Sequence, residues 1–300
     1  MNMFTVDVRF SSSVTEQIPD PEPNRPAAEL AVEDFRRITL EHHWRLRTLE
    51  SHLALTRKRL ASLEARESLS KIGRAARPPG LEFRSQYGED ALVWELTGGQ
   101  TEGHFVEAGA VDGLRLSVTA AFESIGWTGL LVEPIADAAA RCKTNRPGSR
   151  TIRAALASEA AEGVSFNEVR GAEVYSARQL NETHRHLAES QGGTVTTVSV
   201  RAITLDQALE EASADDWPSI DLVVLDLEGG ETDALHGFDL GRWKPSIMIL
   251  EDHDPPDRSA LVEVVTASGY RLAGSLQVNR VFVREDRDDV LARAVAIPGF

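Results

Sequence analysis

Two kinds of hydrophobic pattern divide the chain. Between 27 and about 74, apolar residues recur at helical spacing, with Val32, Phe35, Leu46, Leu49, Leu53, Leu60 and Leu63 on one heptad seam that Thr39, His42 and Thr56 interrupt. Proline is absent there, glycine occurs only at Gly73, and Leu, Ala, Glu and Arg dominate, so the pattern predicts a long helix or helix pair over 27–76. Ahead of it, Pro19, Pro21, Pro23 and Pro26 stand among polar residues and predict a flexible leader over 1–26. Pro78-Pro79-Gly80 separates these parts from the rest.

Beyond that break the rhythm changes to short apolar runs alternating with helical stretches, the signature of a parallel sheet covered by helices on both faces. Strands are expected near 104–108, 129–133, 151–156, 221–226 and 246–251, with helices over 117–126 and 135–145 among the connections. The last two runs, 270–275 and 278–284, are too close for a crossover helix and must pair as a hairpin. The expectation is an α/β domain over 77–286, a Rossmann-like, mostly parallel seven-stranded sheet with a terminal antiparallel hairpin, followed by a tail over 287–300. One stretch, 157–197, departs from the rhythm, with an apolar run at Val164-Ser165-Phe166, breaks at Gly171 and Gly192-Gly193, and a helical segment expected over 176–190. Long excursions from a compact sheet tend to carry function, and this one is assigned to the acceptor side of the site.

Charge narrows the partners. Thirty-two basic residues against 47 acidic ones give a formal net charge of -15, which repels nucleic-acid phosphates and anionic membrane surfaces. Cys142 is the sole cysteine, so neither an intrachain disulfide nor a cysteine metal cluster can form. The first ten residues lack the basic start and apolar stretch of a secretory signal, and runs such as Leu222-Val223-Val224-Leu225 are far shorter than a bilayer span, which together point to a cytoplasmic protein without membrane insertion.

In open parallel sheets ligands bind beyond the carboxyl ends of the strands where strand order reverses, so the loop after the first strand is the place to look. That loop reads Glu107-Ala108-Gly109-Ala110-Val111-Asp112-Gly113. Gly109 and Gly113 let the backbone approach a ligand closely, and Glu107 or Asp112 can accept hydrogen bonds from an ammonium or hydroxyl group. The spacing is neither Gly-x-Gly-x-x-Gly nor a phosphate-binding P-loop, and its acidic groups suit a cationic ligand such as S-adenosylmethionine better than a pyrophosphate. One strand later, Leu130-Leu131-Val132-Glu133-Pro134 ends in a carboxylate placed to take a ribose diol.

These residues resemble the FkbM family of methyltransferases in four places: Ser85-Gln86-Tyr87-Gly88-Glu89-Asp90, Phe105 through Gly113, Gly126-Trp127-Thr128-Gly129-Leu130-Leu131-Val132-Glu133-Pro134, and the run from Ile220 to Glu231 containing Asp226-Leu227-Glu228-Gly229-Gly230. The resemblance spans about two thirds of the chain and implies a class I methyltransferase fold with S-adenosylmethionine as methyl donor. It also implies an acceptor hydroxyl on a sugar, polyketide or related natural product. Gln86, in the first motif, joins Glu107, Gly109, Asp112, Gly113 and Glu133 as a cofactor-binding candidate. The family usually carries a histidine after the Asp-x-Glu-Gly of the fourth motif, and this chain has Gly230 there. Asp226, Glu231 and His253 are the candidates left to act as base.

If the fourth and fifth strands are adjacent, Asp226 and Glu228 face Glu251, Asp252 and Asp254 across one crevice, and hard oxygen ligands of this kind suit Mg²⁺. By resemblance to metal-dependent sugar O-methyltransferases the ligands would be Asp226, Glu251 and Asp252, although the same carboxylates would also serve as helix caps or solvated rim charges. Two other readings remain: a cofactor-binding scaffold without catalysis, and a nicotinamide-dependent oxidoreductase, which should show a closer glycine spacing. A homodimer through the helix at 27–76 is the remaining partner expectation.

Overall fold

The computed structural model describes residues 76–171, 176–178, 185–186, 188–189 and 192–297. The leader, the long helix at 27–76 and the dimer expected through it fall outside the described residues, as does most of the helix expected over 176–190. Ten strands occur in chain order: β1 (His104–Ala108), β2 (Thr128–Val132), β3 (Arg150–Ile152), β4 (Ala155–Leu156), β5 (Ala161–Arg170), β6 (Thr194–Ile203), β7 (Leu222–Leu225), β8 (Ile247–Glu251), β9 (Tyr270–Leu276) and β10 (Asn279–Arg284). The described helices are α1 (Glu89–Leu96), α2 (Ala120–Glu123), α3 (Ala136–Asn145), α4 (Leu205–Glu211), α5 (Glu231–His236), α6 (Leu240–Trp243), α7 (Ala260–Ala267) and α8 (Asp288–Val295).

Seven strands form one sheet in the order β3-β2-β1-β7-β8-β10-β9. All contacts from β3 to β8 are parallel, and β10 runs antiparallel to both β8 and β9, so the terminal hairpin is present as expected. Because side chains alternate along a strand, each strand feeds two cores. Val106, Ala108, Leu130, Val132, Val223, Leu225, Met248 and Leu250 enter one, while Phe105, Leu131, Leu222, Val224, Ile247 and Ile249 enter the other. Each such side chain contributes about 1.5–3 kcal/mol when fully buried, which is why strands of four or five residues hold.

The chain leaves β1 toward β2 and β3 and returns to β7 on the opposite side, so strand order reverses between β1 and β7. The carboxyl ends of those two strands border the ligand crevice of this fold.

Four expectations are corrected. The strand expected over 151–156 breaks after Ile152, and Ala155–Leu156 instead joins a second, three-stranded sheet in the order β4-β6-β5. In place of an irregular excursion, most of the apolar pattern at 161–170 and 194–203 is spent on a long antiparallel ribbon, whose Phe166 and Val200 pack with Ile135 and Ala138 of the α3 region. The helix expected over 117–126 is shortened to α2, because Ser117, Val118 and Thr119 are drawn into a turn around Glu107. Finally, the segment expected as a tail carries α8, whose Val290 and Ala294 pack with Ala91 and Leu92 of α1. No helix among the described residues is long and apolar enough to cross a membrane.

Candidate active site

The glycine loop begins where β1 ends. Gly109 donates its N–H to the Val132 carbonyl at 3.0 Å and has φ +81°, and a Cβ placed on it would meet the Asp226 carbonyl oxygen. Only glycine fits there. Two residues on, Val111 takes φ 52°, uncommon for a β-branched side chain and costing on the order of 1–3 kcal/mol. Asp112 Oδ1 accepts from the Leu114 and Arg115 amides at 2.9 and 2.8 Å and turns the chain back.

Glu133 lies just past β2 and is buried. Its Oε2 accepts from the Val111 amide and its Oε1 from the Ile135 amide, each at 2.9 Å. Each carboxylate oxygen has two lone pairs, so both retain acceptor capacity for a hydroxyl. Burial pushes the carboxyl up to about 7, against the opposing pull of the two amides and of Arg141. A ribose diol is the kind of partner that such a half-satisfied carboxylate accommodates, so the residues present fit an adenosyl cofactor.

Glu107 stands differently. Its two oxygens accept from Ser117 Oγ at 2.7 Å, from the Val118 amide at 2.8 Å and from Thr119 Oγ1, and Arg146 lies 3.7 Å away. The carboxylate expected to meet a ligand ammonium is thus engaged by three donors inside the fold, with Oε1 accepting from the Val118 amide alone. Arg146 is itself fully enclosed, donating to Glu123 at 2.7 Å, to the Gly113 carbonyl at 2.8 Å, to Ser117 Oγ and to Thr119 Oγ1. It braces the far end of the glycine loop, a role that no sequence signal announced for an arginine in an Asn-Arg-Pro-Gly turn.

The motif at 85–90 closes the crevice from another side. Ser85 bridges to Leu116 beyond the glycine loop. Asp90, in the first turn of α1, ties the preceding segment to the helix by accepting from the Ser85 amide at 2.8 Å and Ser85 Oγ at 2.6 Å. Glu89 accepts from the Tyr87 amide at 2.8 Å and from Asn279, which sits opposite Glu251 on the antiparallel ladder. Tyr87 is thereby fastened, buried, beside the end of β8. Burial raises its phenol first, followed by the charges of Glu89, Glu251 and Asp226, while a hydrogen bond to Gln86 opposes the rise. Sequence reading named Gln86 and passed over this tyrosine.

At the ends of β7 and β8, which are adjacent, the carboxylates of Asp226, Glu228 and Glu251 place oxygens within 4.8 Å of one another. Asp226 is reached by solvent yet hemmed in by protein, the situation of a side chain at the bottom of an open crevice. That enclosure, then Glu251, Glu228 and Glu231, holds its carboxyl well above the usual range. His253 Nε2 lies 3.3 Å from Glu251 Oε1, and this hydrogen bond raises the imidazole. Glu231 opens α5, accepts from the Leu227 amide at 2.6 Å and is pushed up to about 7 by burial and then by Glu251. Gly230, where a histidine was expected, is the residue preceding that helix.

Asp252 does not join the cluster. Its Oδ2 pairs with Arg280 Nε at 3.4 Å and its Oδ1 accepts from the Asp254 amide at 3.0 Å. One residue beyond Glu251, its side chain leaves on the opposite side of the extended chain, where Arg280 of β10 stands. The third carboxylate beside Asp226 and Glu251 is Glu228, which reaches them because its backbone adopts φ 53°.

A search of curated proteins finds no match. Among solved structures, precorrin-6y C5,15-methyltransferase from Geobacter metallireducens GS-15 is 12% identical, covering 66% of this chain and 78% of its own, at TM-score 0.34. A TehB-like SAM-dependent methyltransferase from Corynebacterium glutamicum is 13% identical over 68% of this chain and 90% of its own, also at TM-score 0.34. Likenesses that distant carry no weight for activity. The decisive match is to the Methyltransferase FkbM domain, over residues 107–272, which takes in the glycine loop, Glu133 and the acidic crevice. By that match, across more than half of its length, the chain belongs to the FkbM family of methyltransferases.

Proposed function

We propose that the chain transfers the methyl group of S-adenosylmethionine to a hydroxyl of a sugar, a polyketide or a related natural product. One observation carries the choice of oxygen: Asp226, with raised proton affinity, lies at the bottom of the crevice next to the Glu251–His253 pair and directly against the glycine loop. An attacking hydroxyl must lose its proton, and a carboxylate whose proton affinity is raised by its surroundings is suited to take it.

When bound, the cofactor supplies an electrophilic sulfonium methyl. Glu133 would hold the ribose diol, and the backbone of Gly109 and Ala110 would lie along the adenosyl group. Asp226 would receive the acceptor proton, while the hydrogen bond to Glu251 favours the protonated form of His253 and so tempers the crowding of carboxylates. Holding both reactants in line accounts for much of the rate. The formal charge of -15 disfavours nucleic acid as acceptor.

Calorimetry with S-adenosylmethionine, followed by transfer of labelled methyl to a panel of sugars and polyketide alcohols, tests the reading. Binding without transfer to any hydroxyl, or transfer to amines alone, would overturn it. The closeness of the Asp226, Glu228 and Glu251 oxygens favours one addition, a divalent cation such as Mg²⁺ in place of the shared protons. Full activity after exhaustive EDTA treatment would remove the cation.

A further inference from the structure

The strained point of the cofactor loop is Val111, at φ 52°. Its amide donates to Glu133 Oε2 at 2.9 Å, and its carbonyl accepts from the Cys142 thiol at 3.4 Å. A β-branched residue left to itself would relax to negative φ and swing the loop out of its cradle. We propose that Glu133 is the positioning residue of this loop, a carboxylate clasp on Val111 that is closed in the cofactor-free chain and that a bound cofactor tightens. The proposal rests on the cofactor reading above for its meaning, but the clasp itself belongs to the cofactor-free chain.

The chemistry follows from counting lone pairs. Ionised, Glu133 accepts from both Val111 and Ile135 and keeps capacity for two ribose hydroxyls. A diol settling on the carboxylate fixes the rotamer that pins Val111, and the pinned loop presents the backbone of Gly109 and Ala110 to the same ligand. Protonation would convert one acceptor oxygen into a donor facing an amide. The groups around the carboxyl are Arg141 and Cys142 from α3 and the Val111 and Ile135 amides, with Glu107 and Asp112 beyond Cys142. Among these, only Arg141 favours the ionised form by its charge.

Cys142 reports the state of the clasp. It is buried, it is the only cysteine, and burial pushes its thiol up to about 12, so it should react slowly while the loop is closed. The experiment is thiol labelling of the full chain with Ellman's reagent, without and with S-adenosylhomocysteine. Glu133→Gln, whose amide oxygen can serve only one of the two N–H groups, should label about tenfold faster than wild type or more in the absence of cofactor. Glu133→Asp should fall between them, and S-adenosylhomocysteine should slow labelling of the wild type. A Glu133 that touched ribose alone would give Glu133→Gln weakened S-adenosylhomocysteine binding with an unchanged labelling rate in the cofactor-free protein, and that outcome overturns the proposal. Should Glu133→Gln fail to fold, amide exchange of the wild type decides. Slower exchange across 109–115 on saturation with S-adenosylhomocysteine supports the clasp, and unchanged exchange there overturns it. Failure of S-adenosylhomocysteine to bind at all would count against the cofactor reading, while the labelling of cofactor-free variants would still judge the clasp.

Discussion

A Cβ on Gly109 would lie 1.9 Å from the main-chain carbonyl oxygen of Asp226. The turn that holds the cofactor and the turn that carries the acidic crevice are therefore in backbone contact, without a side chain between them. Gly109→Ala cannot be absorbed by a rotamer change, and its φ of +81° adds to the cost. We expect loss of about 2–4 kcal/mol of stability and no measurable S-adenosylhomocysteine binding. Urea denaturation and calorimetry measure the two effects.

Asp226→Asn keeps the size of the side chain and removes its proton affinity. Turnover should fall roughly 10²–10⁴-fold while S-adenosylhomocysteine binds nearly as in wild type. His253→Gln should cost less, because Glu251 and Asp226 remain. A turnover assay paired with calorimetry separates the two variants. Equal losses in binding and turnover would mean that Asp226 supports the loop and takes no proton.

Glu133 links stability to pH with a definite sign. Its carboxyl is raised from 4.5 to about 7 in the folded chain, so its contribution to stability is full below about 4.5 and is lost as pH rises through about 7. Without cofactor, wild type should lose stability relative to Glu133→Gln between pH 5 and pH 8.5, on the order of 2 kcal/mol by urea denaturation. Over the same interval affinity for S-adenosylhomocysteine should rise, since the ionised form takes the diol. Flat affinity across that range would separate ribose binding from this carboxylate.

Arg146 sits among Glu123, Glu107, Ser117, Thr119 and the Gly113 carbonyl with 2% of its surface exposed. Arg146→Met should destabilise the chain by about 3–5 kcal/mol, because buried Glu107 and half-buried Glu123 lose their cation. Thermal unfolding checks this. Restoration by the double variant Arg146→Met, Glu123→Gln would show that the penalty lies in the stranded charge and not in lost volume.

Most of the seven-stranded sheet could be read from the chain because its signals are local. Short apolar runs at 104–108, 222–225 and 247–251 mark strands whatever their neighbours do, and the short gap before Asn279 allows only a hairpin. Glu133 was legible for the same reason, as an acidic residue at a strand end. What stayed hidden depends on distant partners. Glu107 looked like Glu133 in sequence, and only the fold brings Ser117, Thr119 and Arg146 together around it. Asp252 was separated from Glu251 by Arg280, which lies 28 residues further along. The break after Ile152 was set by a strand that begins at Thr194.

The second sheet has a consequence for how such proteins diversify. Its ribbon leaves the body at Ala155–Leu156 and comes back at Ala202–Ile203, and these two pairs of residues are hydrogen-bonded neighbours. The described residues of the ribbon join the body through this stem and through Phe166 and Val200 on the α3 region, so none of them is a strand of the main sheet. On the proposed reading, in which this segment lies on the acceptor side of the site, exchange of residues 157–200 between relatives should change the acceptor accepted while sparing S-adenosylhomocysteine binding.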